Sequence, residues 1–442
     1  MKIFIKKLGC PKNDVDGDYI AGECQSLGHE IMNSDALVDG VIINTCGFIL
    51  PAKEESIAEI ARYEKLKKDG ELKYLYVTGC LSQRYNDMLK KEFKNVDGFF
   101  GLGQIKELAQ VLSAKGKKTA GQINSSSELT YLAGESRYIE PQASYAYLKI
   151  SDGCDRFCSY CAIPYIRGRY RSRPIVDIVQ EARLLAQSGK REIILVSQEG
   201  SGYGQDFKDG TDLLVLLREL ETIAGIKWIR LMYLHPESIS DHIIDYIASS
   251  EKVLPYFDIP LQHISDKILA QMNRQVTRAD IETTLRRICD KLSNSIIRTT
   301  FIAGFPGETD KEFSELRDFI SDFEFDRLGV FKYSQEEGTP AAQFDAQVPE
   351  RTKDNRLEEL MILQQEIAFR KNMALLDTVQ RVIIDKAGRD AVTEGRTIGD
   401  CPDIDQTVFI KDDNLSIGQI INARIIKAEG YDLVARVEVD SQ

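Results

Sequence analysis

Cys154-Asp155-Arg156-Phe157-Cys158-Ser159-Tyr160-Cys161 sets three thiols within eight residues, separated by three residues and then by two. Thiolates so spaced suit three irons of a cubane iron–sulfur cluster and leave the fourth iron open for another ligand. A structural zinc site is normally closed by four protein ligands, and no fourth Cys or His stands nearby. Buried cysteines with no metal rarely cluster in this way.

Outward from this run, the chain repeats a βα pattern. Apolar stretches at Ala146–Ile150, Glu192–Val196, Trp228–Tyr233, Tyr256–Ile259, Ile297–Ile302 and Leu328–Tyr333 read as buried parallel strands. Helical patterns at Ile175–Gln187, Leu213–Leu220, Arg278–Leu292 and Lys311–Phe323 fall between them. Six repeats predict a curved sheet or incomplete barrel, two units short of a closed eight-fold one. The distinctive polar residues follow the strand ends: the cysteine loop, Ser197-Gln198-Glu199, His235-Pro236, Gln262-His263 and Gly304-Phe305-Pro306-Gly307-Glu308. In barrel-like folds that edge carries the active site. Gly304 and Gly307 read as a tight turn or a close backbone approach, not as a phosphate loop.

A long helix at Lys353–Leu376 ends this region, with an apolar stripe that reads as packing. Alternating strands follow at Val379–Asp385, Thr407–Ile410, Ile420–Ile426 and Asp432–Val439, punctuated by Gly388, Gly395, Gly399, Gly418 and Gly430. This predicts a small antiparallel barrel. On the other side of the cysteine run, strands at Ile3–Ile5, Val41–Ile43 and Tyr74–Val77 alternate with helices at Val15–Leu27, Ala52–Leu66 and Gln83–Glu92. That is a parallel α/β sheet. Cys10, Cys46 and Cys80 each fall just past the carboxyl end of one of its strands, on the edge where such sheets bind ligands. By position alone, a shared metal site and three unrelated buried thiols are both open readings. Cys24, Cys289 and Cys401 lack a neighbour at ligand spacing and read as structural. Gly116-Lys117-Lys118 and Ser125-Ser126-Ser127 have linker chemistry. The predicted domains are therefore 1–113, a linker at 114–143, 144–376 and 377–442.

The chain has 442 residues, nine cysteines and a net charge of −12. It contains no apolar run of the ~18–20 residues needed to span a membrane, and its charged start does not read as a signal peptide. A cytoplasmic location with no membrane partner is the expectation, and there nine cysteines point to metal or catalysis over disulfides. The acidic balance disfavours broad nucleic-acid binding and permits a basic protein partner.

The order of the three regions, with CxxxCxxC in the central one, resembles the methylthiotransferases, a subfamily of the radical S-adenosylmethionine (SAM) enzymes. The terminal barrel then corresponds to their TRAM domain. The resemblance implies two four-iron, four-sulfur clusters. Cys154, Cys158 and Cys161 would hold the one that chelates and reductively cleaves SAM. Cys10, Cys46 and Cys80 would hold an auxiliary one that carries the sulfur. No catalytic residue beyond these ligands is assigned. Gly9-Cys10-Pro11-Lys12-Asn13 and Leu261-Gln262-His263 resemble the RimO-type branch, which methylthiolates the β-carbon of an aspartate on ribosomal small-subunit protein S-twelve. Ser197-Gln198-Glu199-Gly200 departs from that branch, which commonly has Asp-Thr at the last two positions. The candidate SAM pocket is Tyr160, Ser197, Gln198, His235 and Gln262, with Tyr160 placed to pack on adenine or simply within its loop. His235 and His263 are candidates for proton transfer or for positioning. The basic run Arg167–Arg171 faces a carboxylate of SAM or substrate, or is a solvated turn. An electron donor and a sulfur source are implied partners.

Two other functions stay open at this level. One is the same chemistry on an adenosine of tRNA. The other is a noncatalytic binding protein with a metal module. From Met373 to Gln442 there are eight Lys or Arg against thirteen Asp or Glu, a net charge of −5. Such a barrel suits a basic protein better than RNA phosphates.

Overall fold

In the computed structural model, the described residues are 1–114, 123, 125, 126, 129, 136–387, 392–411 and 414–438. Gly116-Lys117-Lys118, Ser127 and Gly388 lie outside them. The first region comprises β1 (Lys2–Lys7), α1 (Pro11–Ser26), β2 (Glu30–Met32), β3 (Gly40–Thr45), α2 (Leu50–Lys68), β4 (Tyr74–Gly79), α3 (Cys80–Glu92), β5 (Gly98–Phe99) and α4 (Ile105–Ser113). Its strands pair in the order β2-β1-β3-β4-β5, all parallel. β3 is buried at every position, as a parallel strand covered on both faces requires.

The central region begins with β6 (Tyr145–Lys149), β7 (Ser151–Asp152), α5 (Ile163–Arg167), β8 (Arg171–Ser172), α6 (Ile175–Gln187), β9 (Glu192–Val196), α7 (Leu213–Glu221), β10 (Trp228–Leu231) and α8 (Asp241–Ser249). It continues with β11 (Val253–Gln262), α9 (Asp266–Gln271), α10 (Arg278–Lys291), β12 (Ile296–Ala303), α11 (Asp310–Phe323), β13 (Arg327–Lys332) and α12 (Glu350–Ala374). Six strands form one open parallel sheet in the order β13-β12-β11-β10-β9-β6. These are the six strands expected. The short antiparallel pair β7–β8 ties off the neck of the loop that carries Cys154, Cys158 and Cys161.

Side chains alternate across this sheet. Ile229 and Leu231 of β10 face the helices, in one large core with Ile193, Leu195, Phe257 and Ile259. Trp228 and Met232 face the other way, into a core shared with Ile3, Tyr19 and Phe100 of the first region and with Ile383 and Cys401 of the last. The inner face of the sheet is thus covered by the two flanking regions, and burying a side chain as large as Trp228 there contributes roughly 1.5–3 kcal/mol.

The terminal region is a closed barrel of β14 (Val379–Lys386), β15 (Thr393–Thr397), β16 (Val408–Ile410), β17 (Ile420–Glu429) and β18 (Asp432–Val437), ordered β14-β15-β16-β18-β17. The sequence pattern predicts a wholly antiparallel barrel, and the structure corrects this at one pair: β16 and β18 run parallel. Five strands around a closed ring cannot alternate throughout, so one pair must run the same way. The chain after β15 inserts against the inner face of the central sheet. Arg230 donates to the Ile398 carbonyl at 3.0 Å, Arg327 pairs with Asp400 at 2.6 Å, and Tyr256 donates to Asp405 at 2.7 Å. Tyr145 donates to Asp403 at 2.8 Å. Asp400 and Asp405 are therefore engaged inside the protein, and the region's net charge does not measure what it offers a partner.

Candidate active site

Cys10, Cys46 and Cys80 stand on one edge of the first sheet, each at or just before the start of a helix. Cys10 caps α1, with Pro11 in the first turn. Cys80 opens α3 after Gly79, whose φ of +97° suits glycine. The three loops touch. A Cβ on Gly9 would lie 2.6 Å from Cys46 Cβ and 2.8 Å from its Sγ, and one on Gly47 would lie 2.7 Å from the Leu81 backbone. The glycines beside each thiol let the loops close on one another. Ser56 Oγ donates to the Cys46 carbonyl and accepts from its N–H, both at 3.0 Å. Asn13 Nδ2 donates to the carbonyls of Leu8 and Thr45 at 2.9 and 3.0 Å, and Cys80 Sγ lies 3.7 Å from Asn13 Oδ1. Burial pushes the Cys46 thiol up to about 12, helped by Cys80 and Cys10 close by, and burial also raises Cys80.

Cys154, Cys158 and Cys161 form a second trio. Burial lifts Cys154 to about 11, with Cys158 contributing. It lifts Cys161 further, again with Cys158 and Cys154 nearby. Among the described residues no three His, Cys, Asp or Glu side chains gather tightly enough to hold a single metal ion. A cubane asks for a different arrangement: each thiolate ligates its own iron, so the sulfurs stand apart around a cluster-sized space. Two trios of free thiols fit such clusters in donor chemistry and number.

The loop of the second trio is held by Arg156. Its guanidinium pairs bidentately with Glu199 at 2.7 and 2.8 Å, donates to Ser238 Oγ at 2.8 Å and pairs with Glu237. This accounts for the departure at Glu199-Gly200. Glu199 reaches Arg156, and a Cβ on Gly200 would lie 2.5 Å from the Met232 carbonyl. Gly200→Thr is therefore expected to cost about 1–3 kcal/mol of stability through overpacking, measured by chemical denaturation. A loss below ~0.5 kcal/mol would show that β10 gives way freely.

Ser197, Gln198 and His235 lie past the ends of β9 and β10, where Ser197 Oγ, both polar atoms of the Gln198 amide and His235 Nδ1 are buried without a partner. Buried polar groups are normally satisfied, so these atoms describe a polar ligand's place and fit SAM. Burial, with Arg274 and Arg156 nearby, drives His235 down to about 2, so it is neutral and not a general acid at physiological pH. Gln262 sits at the end of β11 with a φ of +73°, a strained conformation typical of functional sites. Tyr160 meets Phe305 edge-on at 6.5 Å between ring centroids, in a small apolar cluster with Ile268 and Met272. His263 is fully buried. Its Nδ1 accepts from the Ser265 N–H at 3.0 Å and its Nε2 is 3.4 Å from Glu308, an arrangement that holds a loop. Gly304 belongs to the same loop and donates its N–H to Glu308 at 3.0 Å.

Arg167 answers neither reading of the basic run. It is 2% exposed and joins the two halves of the site: Nη2 donates to Asn13 Oδ1 at 2.7 Å and pairs with Asp16 at 2.9 Å, while Nη1 pairs with Asp152 at 3.1 Å. Arg169 is the exposed member and pairs with Asp155. Cys80, Ala162 and Ile166 share a small core between the two trios. Lys12 lies there too, its Nζ 3.3 Å from the centroid of the Tyr233 ring. Burial pulls the Lys12 pKa down, but Tyr233 and Cys10 lift it above its ordinary value, so it stays charged. Sequence reading missed Asn13, Asp16, Arg156 and Arg167 as a set. The available signal was their placement: Asn13 and Asp16 follow Cys10 within two helical turns, Arg156 sits between Cys154 and Cys158, and Arg167 follows Cys161 by six residues. A separate cavity of about 290 Å³ is lined by Lys7, Asp14, Tyr145 and Asp403 among others, and by none of the cysteines.

Family models match three stretches: the radical SAM superfamily over 148–320, Uncharacterized protein family UPF0004 over 2–101 and the TRAM domain over 378–437. The chain is 41% identical over 440 residues to the ribosomal protein uS12 methylthiotransferase RimO of Clostridioides difficile, covering 99% of both. It is 42% identical over 449 residues to that of Acetivibrio thermocellus, covering 99% and 98%. Among solved structures, it is similar to the radical SAM methyltransferase TsrM of Kitasatospora setae (TM-score 0.56, 16% identity, 77% of this chain and 76% of that one). It is also similar to the cobalamin-dependent SAM radical enzyme OxsB (TM-score 0.51, 13% identity, 82% and 56%). Likeness at that identity concerns the fold.

Proposed function

This chain belongs to the RimO family of ribosomal protein uS12 methylthiotransferases, and on that premise we propose how its residues divide the reaction. It is a radical-SAM methylthiotransferase that acts on uS12, the small-subunit protein S-twelve, with SAM and four-iron clusters as cofactors. In the proposal, Cys154, Cys158 and Cys161 hold the cluster that binds SAM, and Cys10, Cys46 and Cys80 hold the auxiliary one. When bound, the first cluster supplies the electron that cleaves SAM, and the second supplies the sulfur. The unpartnered atoms of Ser197, Gln198 and His235 bind and orient SAM, with Gln262 and Tyr160 beside them. Arg156 and Glu199 fix the loop of Cys154, Cys158 and Cys161, and Asn13 and Ser56 fix the loops of Cys10, Cys46 and Cys80. The observation that carries the proposal is the hydrogen bond that joins Asn13, three residues past Cys10, to Arg167, six residues past Cys161.

The reacting atom in this reading is the β-carbon of an aspartate of uS12. The reaction also requires an electron donor and a sulfur source, and it places the protein in the cytoplasm, where ribosomes are. We assign 1–113 to the auxiliary-cluster domain, 144–376 to the radical-SAM domain, 377–442 to the TRAM domain and 114–143 to the linker. The tRNA reading is not favoured, since the full-length relatives named above act on uS12. The test is turnover of uS12 by the reconstituted enzyme, followed by peptide mass mapping. The expected product gains one CH2S unit on a single aspartate. An unmodified uS12 beside a modified tRNA would overturn the assignment.

A further inference from the structure

One segment of the central region touches the loops of both cysteine trios. After β13 the chain runs through Tyr333-Ser334-Gln335-Glu336-Glu337-Gly338-Thr339 into a short 3-10 turn at Pro340–Gln343. Glu336 is 1% exposed, although it is a carboxylate in a loop. Its Oε2 accepts from Lys53 Nζ at 2.7 Å and from Arg84 Nη1 at 2.8 Å, and its Oε1 accepts from Ser334 Oγ at 2.7 Å. Both cations belong to the first region. Lys53 stands early in α2, seven residues past Cys46, and Arg84 stands in α3, four residues past Cys80. Arg84 also donates to the carbonyl of Gly47, next to Cys46, at 3.1 Å and to the Glu337 carbonyl at 2.5 Å. Ser334 Oγ accepts from the Leu50 N–H at 3.3 Å. The far end of the segment reaches the other trio: the Ala341 N–H donates at 2.8 Å to the carbonyl of Ser159, which lies between Cys158 and Cys161. The two ends are locked to each other, since the Thr339 N–H and Oγ both donate to the Glu336 carbonyl, at 3.1 and 2.7 Å. Gly338 makes that turn with a φ of +81°.

A buried carboxylate that holds two cations and a hydroxyl is a fixed joint, not a solvated loop charge. Burial pushes the Glu336 carboxyl up, but Lys53, Ser334 and Arg84 hold it below its ordinary value, so it stays charged. The loops of Cys46 and Cys80 are tied to it through Arg84 and Lys53, while that of Cys10 is tied through Asn13 to Arg167. We propose that the segment Ser334–Gln343 sets the separation of the two clusters, with Glu336 as the positioning residue. The inference rests on the two-cluster reading above and adds the part that holds the clusters in register. Glu336 acts through Arg84: when the guanidinium moves, the Gly47 carbonyl beside Cys46 moves with it. Sulfur insertion needs its donor and the reacting carbon placed together, and a misplacement of about 1 Å can cost about 100-fold in rate.

The test uses anaerobically reconstituted, full-length wild type, Glu336→Ala and Glu336→Gln. Iron content, the electron paramagnetic resonance spectrum of the chemically reduced protein, and SAM cleaved per uS12 modified are measured on each. Wild type is expected to show a magnetic interaction between two reduced clusters, missing from the summed spectra of proteins in which one or the other cysteine trio is alanine. Glu336→Ala keeps about eight irons, but the interaction weakens. Its ratio of SAM cleaved to uS12 modified rises about 10- to 100-fold. Glu336→Gln, which keeps the shape, falls between the two and decides alone if the alanine variant does not fold. Arg84→Met should give the same signature, and adding it to Glu336→Ala should change little more, since the two residues form one joint. Either readout unchanged from wild type in Glu336→Ala overturns the inference. So does a loss of iron from the Cys10, Cys46 and Cys80 trio, since Glu336 would then serve cluster loading, or a wild type whose two clusters do not interact. A wild type that holds only about four irons overturns the two-cluster reading, and the inference with it. A wild type with two interacting clusters that leaves uS12 unmodified overturns the substrate assignment alone, and the spectra then decide the inference.

Discussion

Replacing Cys154, Cys158 and Cys161 together by alanine abolishes methylthio transfer and halves the iron load. Anaerobic reconstitution is expected to give about eight irons per wild-type chain and about four in this variant, because each trio carries a four-iron unit. The Cys10, Cys46 and Cys80 triple alanine also retains about four irons, but it differs in chemistry. It still cleaves SAM reductively and modifies no uS12, whereas the first variant does neither. The two losses separate because the trios share no ligand and lie on different sheets: one on the edge made by β1, β3 and β4, the other in the loop tied off by β7 and β8. Neither change opens a large hole, since alanine replaces a thiol of similar size, and circular dichroism should be unchanged. If either triple variant kept the full iron content, the division of ligands into two independent sites would fail. If wild type took up zinc and no iron, the noncatalytic reading would stand in its place.

Much of the candidate site was legible in the sequence because its cysteines repeat one relation, cysteine after strand, and strand runs such as Val41–Ile43 announce themselves by unbroken hydrophobicity. All six central strands were readable for the same reason. β15, Thr-Glu-Gly-Arg-Thr, was not: it has no apolar run, and it becomes a strand by barrel closure, with Gly395 packed close to the Ile383 carbonyl. The two-residue β5 and the three-residue β2 are too short to show a period. The charge of the barrel misled for a different reason. Composition counts Asp400 and Asp405 as surface acids, whereas they face Arg327 and Tyr256 of the central sheet. Pairing across domains has no signature along the chain. The same limit hid Arg167, whose partners Asn13 and Asp16 lie 154 and 151 residues upstream.

Arg167→Met is expected to lower stability by about 3–5 kcal/mol, the cost of breaking a buried ion pair from one side. The methionine fills much of the arginine's volume, so the loss reports charge and hydrogen bonding more than a cavity. What it leaves behind is Asp16 and Asp152, both held until then by a guanidinium that is 2% exposed. Lys149 still pairs with Asp16 and lies 3.6 Å from Asp152, which keeps the cost finite. Asn13 also loses its donor at 2.7 Å, and Asn13 is the residue that ties the Leu8 and Thr45 carbonyls together beside Cys80. The damage is therefore local to the seam between the two trios. Hydrogen exchange should rise first in α1 and α5 and leave β9 and β10 protected, since the central sheet keeps its own core. Asp16→Asn in the same chain should recover part of the loss by removing one stranded charge, a coupling that a double-mutant cycle measures directly. A single-variant loss below ~1 kcal/mol would place the seam's stability in its apolar contacts around Cys80 and Ile166, with the buried charges incidental.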